Sequence, residues 1–316
     1  MLRYGLLICL LASTSFGKPA DSFEKTSIEI NNGENIEKYE LEEIRGPESS
    51  PIPSYFFQGD MLMRKGTLAK ALEGKDVTKE DNRACANPPC AAAAGFIASS
   101  LAKWPNPRRI PYVMSKSAKC SVFGRISHFF KSLFDKSKKC HETAIRDGIK
   151  EWERKTCIRF VEIDSDDASK EDGYIEFTSG KKRQCYAHVG FIGGRQVVNI
   201  DDGCSTTGIV LHELGHALGL HHEQSRPDRD SYVRIYNENI KEGTELNFKK
   251  YSFSEVNAVG TPYDYGSIMH YNLYSFSKNK RKTLDAIRPV PSGTDIGQRK
   301  YLSKYDIQAV KNYYGC

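Results

Sequence analysis

The stretch His212-Glu213-Leu214-Gly215-His216-Ala217-Leu218-Gly219-Leu220-His221-His222 gathers the most reactive side chains of this 316-residue chain. Histidines four residues apart leave one face of an α-helix about one turn apart. At that spacing His212 and His216 can share a tetrahedral zinc ion. Glu213 would stand beside the metal, where a carboxylate can take a proton from water. Gly219 can adopt a positive φ, end the helix and turn the chain so that His222 supplies a third nitrogen. Three protein ligands leave a position open, which marks a catalytic rather than a structural zinc site. His221 reads either as solvated or as packed behind the ligands.

Such a site needs a frame. A helix is expected over Thr206–Leu220 to carry the first two histidines, and another over His141–Lys155, where Ala144, Ile145, Ile149 and Trp152 recur at helical spacing. Ser303 followed by Asp306 has the form of a capping pair and opens a last helix that turns Ile307, Val310 and Tyr314 inward. Ile110–Met114, Ile158–Ile163, Tyr174–Thr178, His188–Ile192 and Gln196–Ile200 are short runs rich in Val, Ile, Phe and Tyr, as strands should be. From Asp230 to Leu302, Gly, Pro, Asn and Ser are frequent and periodicity is weak. Strands precede helices rather than alternate with them, so the fold class is α+β.

Some 45 residues after the histidines comes Ser267-Ile268-Met269-His270-Tyr271. It resembles the Met-turn that lies beneath the zinc of metzincin proteases. With Glu223 directly after the third histidine, continuing Gln224-Ser225-Arg226-Pro227-Asp228-Arg229-Asp230, residues 84–316 resemble the astacin family of zinc endopeptidases. The resemblance implies a metzincin domain with a sheet-plus-helices N-terminal half and an irregular C-terminal half. It makes Tyr271 a mobile further ligand that hydrogen-bonds the developing oxyanion, and Met269 the apolar floor under one zinc ion. Glu223 would link to the mature N-terminus. Arg299, in Ile296-Gly297-Gln298-Arg299, would line the site for the residue after the scissile bond and favour an acidic side chain there.

The family also gives the front of the chain a role. Its zymogens are silenced by an aspartate in a Phe-x-Gly-Asp motif, matched here by Phe57-Gln58-Gly59-Asp60. Asp60 would then be a metal ligand in the zymogen only. By the same resemblance Cys157 pairs with Cys316 and Cys185 with Cys204; Cys85–Cys90 and Cys120–Cys140 are the simplest remaining pairs. A cysteine pair near the mature N-terminus resembles the hatching-enzyme subgroup.

Composition fits this division. Leu6–Ala12 is a short apolar run after Arg3 and before Ser15-Phe16-Gly17, the pattern of a signal peptide over residues 1–17 and too short for a membrane span. Removing Cys9 with it leaves eight of nine cysteines, an even number suited to disulfides in an oxidising, extracellular compartment. Residues 18–83 carry 10 basic against 14 acidic side chains, and residues 84–316 carry 35 against 26. An acidic propeptide over 18–83 in front of a basic catalytic domain over 84–316 explains that asymmetry. Nucleic acid does not, in a secreted chain without a concentrated basic run. Activation by a trypsin-like protease is expected near Lys79–Arg83, and the partners are protein or peptide substrates. The alternative is a zinc-binding adhesive or toxin-like module with little catalysis. Its mark would be loss of Glu213 or of a ligand, and neither is lost.

Overall fold

The computed structural model describes residues 23–31, 36–44, 54–57, 60–64, 95–97, 103–119, 141–180, 184–253 and 256–316. The signal run, the activation window, Cys85, Cys90, Cys120 and Cys140 lie outside the described residues.

Nine strands form one mixed sheet in the order β1-β2-β3-β4-β9-β10-β8-β6-β7. The front segment supplies one wing: β1 (Phe23–Asn31), β2 (Ile36–Ile44), β3 (Ser54–Phe57) and β4 (Met61–Arg64), each antiparallel to the next. The body supplies the other: β6 (Ile110–Met114), β7 (Phe160–Glu162), β8 (Gly173–Thr178), β9 (Tyr186–His188) and β10 (Gly194–Asn199). Here β7, β6, β8 and β10 run parallel and β9 antiparallel to β10. The wings meet where β4 lies parallel to β9, so a front segment too polar to fold alone is held against the body.

Helix α1 (His141–Lys155) falls between β6 and its parallel neighbour β7, the crossover that a parallel pair needs. Strands and helices therefore do alternate once here, although the sheet remains mixed and the class α+β. Expected strand 188–192 is displaced: pairing covers Tyr186–His188, and the chain then turns at Gly190, with φ 67°. Expected strand 158–163 shortens to β7.

Helix α2 (Thr207–Ala217) lies on α1 so closely that a Cβ at Gly148 would come within 2.5 Å of Val210. Ile145, Ile149 and Trp152 of α1, Phe177 and Val198 of the sheet, and Leu211 and Leu214 of α2 share one buried core. Helix α3 (Lys304–Tyr314) adds Val310, Tyr313 and Tyr314, with Ile307 partly buried beside them. The expected cap is present: Ser303 accepts from the amide of Asp306, and the Asp306 side chain accepts from the amide of Ser303. Both disulfides implied for this region form, Cys157–Cys316 joining the ends of α1 and α3, and Cys185–Cys204 bracketing β10.

Between residues 223 and 303 regular structure is scarce: 3-10 turns, β11 (Val233–Ile235) paired with β13 (Leu284–Ala286), and β12 (Val256–Ala258) paired with β5 (Gly95–Ile97). A second core of Val233, Ile240, Phe248, Tyr263, Tyr265, Tyr271 and Leu284 holds this half.

Candidate metal centre

Thr206 begins the site by accepting a hydrogen bond from the Ile209 amide and starting α2. His212 and His216 then project from one face, their rings 4.7 Å apart. The helix closes at Ala217, three residues short of the expected Leu220, and Gly219 turns the chain at φ 101°. That turn brings the His222 ring to 4.8 Å from His216 and 5.4 Å from His212. The buried carbonyls left without helix partners at the end of α2 are capped by side chains from distant elements. The Trp104 indole N–H donates to Ala217 and the Tyr314 hydroxyl to Leu218, while Trp152 donates to the Leu211 carbonyl further up the helix.

Asp60 reaches this point from the turn before β4. Its carboxylate lies 3.0 Å from Nε2 of His212, 3.6 Å from Nε2 of His216 and 3.1 Å from Nε2 of His222. One ligand atom from each of these four residues lies within 4.8 Å of every other.

The tautomers decide what can sit among them. Nδ1–H of His212 donates to the Ile268 carbonyl and Nδ1–H of His216 to the Leu220 carbonyl, both at 2.8 Å. A carbonyl only accepts, so each ring carries its proton on Nδ1 and turns an Nε2 lone pair toward the carboxylate. Burial favours the neutral form of two of the rings: it holds His212 well below its ordinary range and brings His222 down to about 4. Oδ1 of Asp60, Nε2 of His216 and Oε2 of Glu213 are buried without hydrogen-bond partners. Lone pairs converging with no proton between them are the donor set of a cation, and three imidazoles with a carboxylate suit zinc. Burial first, then the charge of Asp60, pushes the Glu213 carboxyl well above its ordinary range.

The other expected residues gather around this centre. Met269 lies beneath α2, where a Cβ at Gly215 would stand 2.7 Å from its sulfur. The Tyr271 ring is 4.5 Å from that of His222. Arg299 is half-buried: Nη1 donates to the carbonyls of His270 and Gln298, both at 2.9 Å. Its charge acts on Asp60, Glu213 and Tyr271. Glu223 accepts from Arg226 Nη1 at 3.0 Å and from the Asp264 amide at 2.8 Å, and burial raises it to about 8. His221 is buried, with Nδ1 2.9 Å from the Tyr251 hydroxyl, which removes the solvated reading.

Sequence reasoning missed Gln224, whose side-chain oxygen accepts the Tyr271 amide at 3.0 Å, and the fully buried Arg226. The charged spacing Glu223, Arg226, Asp228 was the available signal for the second, since both acids bond that guanidinium.

The family model for Astacin (Peptidase family M12A) matches residues 116–315. The chain is 35% identical over 272 residues to Protein SpAN of Strongylocentrotus purpuratus, covering 85% of this chain and 39% of SpAN. It is 30% identical over 328 residues to zinc metalloproteinase nas-4 of Caenorhabditis elegans, covering 99% of this chain and 90% of that protein. It thus spans less than half the length of several relatives that it matches, SpAN among them. Among solved structures, high choriolytic enzyme 1, a hatching-enzyme zinc protease of Oryzias latipes, has 35% identity and a TM-score of 0.53. The likeness covers 71% of this chain and 95% of that one. With the histidine triad, the Met-turn and the α+β frame in place, the chain belongs to the astacin family of zinc metallopeptidases.

Proposed function

We propose that the chain is a secreted zymogen whose processed form is a zinc-dependent endopeptidase. The observation that carries this reading is the meeting of three buried imidazoles with the Asp60 carboxylate, beside the buried Glu213. His212, His216 and His222 would hold a zinc ion, which would supply a Lewis acid for the scissile carbonyl. Glu213 takes a proton from the attacking water and hands it to the leaving amine; its raised affinity for a proton suits both halves of that exchange. The Tyr271 hydroxyl donates to the oxygen on which negative charge develops, and Met269 closes the floor. Arg299 pairs with an acidic side chain after the scissile bond.

In the uncut chain the Asp60 carboxylate fills the place that the water needs. A trypsin-like cut near Lys79–Arg83 frees it, and the new N-terminus links to Glu223. The leader-like run Leu6–Ala12 and the two disulfides support secretion. Among the described residues no helix is long and apolar enough to cross a membrane.

The test is casein or fluorogenic-peptide cleavage by trypsin-treated chain beside Glu213→Ala treated alike. Turnover that a chelator abolishes is expected from the parent, with a loss of about 10³-fold or more in a variant that keeps its zinc. Equal turnover from the two would remove Glu213 as the base. Silence from both, in folded and zinc-loaded samples, would favour the binding-module reading. Uncut Asp60→Ala should be more active than the uncut parent; equal silence in a folded variant would end the aspartate switch.

A further inference from the structure

Asp306 is buried on the first turn of α3, and its carboxylate accepts more than a helix cap requires. Oδ2 takes the Ser303 amide at 2.8 Å, which is the cap, and also the Ile268 amide at 2.9 Å. Oδ1 takes the Ser267 hydroxyl at 2.6 Å. With its proton committed there, the Ser267 oxygen accepts the Met269 amide at 3.0 Å. Two successive amides of the turn beneath the metal centre are thus fixed by one carboxylate, directly or through one hydroxyl. The carbonyls of the same two residues face the site. Ile268 receives Nδ1–H of His212 at 2.8 Å, and Met269 receives the amide of Glu223, next to His222, at 3.2 Å.

We propose that Asp306 is a positioning residue for the metal centre, holding residues 267–269 so that the Ile268 carbonyl sets the ring and tautomer of His212. The proposal rests on the zinc reading above and deepens it. Outer partners of a ligating histidine fix its orientation and basicity, and losing one weakens metal binding by roughly 10- to 100-fold. Asp306 acts one step further out, through the backbone that carries such a partner. An asparagine there would keep one oxygen for the two amides but set an NH₂ group against the Ser267 hydroxyl, which then loses its acceptor, and the turn would shift.

The experiment measures the zinc dissociation constant of the full chain by competition with a chromogenic chelator, beside thermal unfolding. The proteins are parent, Asp306→Asn, Ser267→Ala and Ser303→Ala. Asp306→Asn should bind zinc about tenfold more weakly, and Ser267→Ala by a smaller factor. Ser303→Ala removes the cap hydroxyl but leaves both contacts of Asp306 with the turn; it should unfold at a lower temperature with zinc affinity unchanged. A folded Asp306→Asn that binds like the parent overturns the proposal. So does a Ser303→Ala loss as large as that of Asp306→Asn, because helix stability alone would then explain both. Should Asp306→Asn not fold, Ser267→Ala decides: weaker zinc binding supports the role and parent affinity overturns it. A parent that binds no zinc overturns the reading of the site itself, an outcome separate from any ratio among the variants.

Discussion

His212 and His216 stand on a helix whose register comes from its own backbone ladder and whose buried face is held by aliphatic packing. Tyr271 and Arg299 stand on stretches with almost no regular structure, yet face the same centre. Their backbone is held by buried or half-buried side chains with several donors or acceptors. Arg226 alone bonds Glu223, both oxygens of Asp228 and the carbonyls of Thr261 and Pro262. Arg229 bonds the carbonyls of Gln224 and Phe248, and Gln298 those of Gly266 and Tyr301. Every buried carbonyl needs a partner. Where no ladder supplies one, a long polar side chain does, and it then fixes segments far apart in sequence.

The sharpest way to break this contrast is Arg226→Ala. Removing the guanidinium leaves Asp228 without its counter-charge and Glu223, Thr261 and Pro262 without that donor, and the expected cost is about 3–5 kcal/mol, read by denaturant unfolding. A loss within 0.5 kcal/mol, about what an exposed substitution gives, would show that the irregular half does not depend on its polar anchor.

Gly208→Ala probes the contact between the halves. Its Cβ would stand 1.7 Å from the Arg299 carbonyl, backbone against backbone, so either α2 or the Arg299 segment must move. A stability loss of about 1–3 kcal/mol is expected, with a fall in turnover because Arg299 shifts. Unchanged stability and turnover would mean that the two halves are not seated on each other here.

Arg299→Ala should reduce the preference for an acidic over a neutral residue after the scissile bond by roughly tenfold, the worth of one charge-assisted pair. Matched peptide pairs give the ratio, and an unchanged ratio would take specificity away from this residue. The smallest effect belongs to Gly215→Ala. Its Cβ would meet only the flexible Met269 sulfur at 2.7 Å, and alanine is the better helix former. The two should cancel to within about 1 kcal/mol; a loss matching that of Gly208→Ala would show the floor to be as unyielding as backbone.

The same contrast decides what could be read from sequence. The three helices were legible because periodicity and caps are local: Ile149 lies four residues after Ile145, and Ser303 three before Asp306. The cluster of His212, His216 and His222 was legible for the same reason, its members spaced four and six residues apart, and the approach of Asp60 through a four-residue motif. Gln224 was not, since its bond to Tyr271 spans 47 residues and leaves no repeating mark. Asp306 was read only as a cap because its second task lies 38 residues away. The end of β9 was misplaced because an apolar run continues through Gly190 while the backbone turns there.

Strand β4 keeps Asp60 in place with few bonds. Against β9, the Ala187 amide donates to the Asp60 carbonyl at 2.9 Å and the Val189 amide to that of Leu62 at 3.3 Å, with Met61 and Leu62 buried alongside. Such a short strand would bind weakly as a free peptide. Within one chain it has no need to bind tightly, because a tether raises its effective concentration at β9 to the order of millimolar. The hold of this segment is therefore a matter of connectivity as much as of contact. Were the tether severed, dilution alone would work against its return.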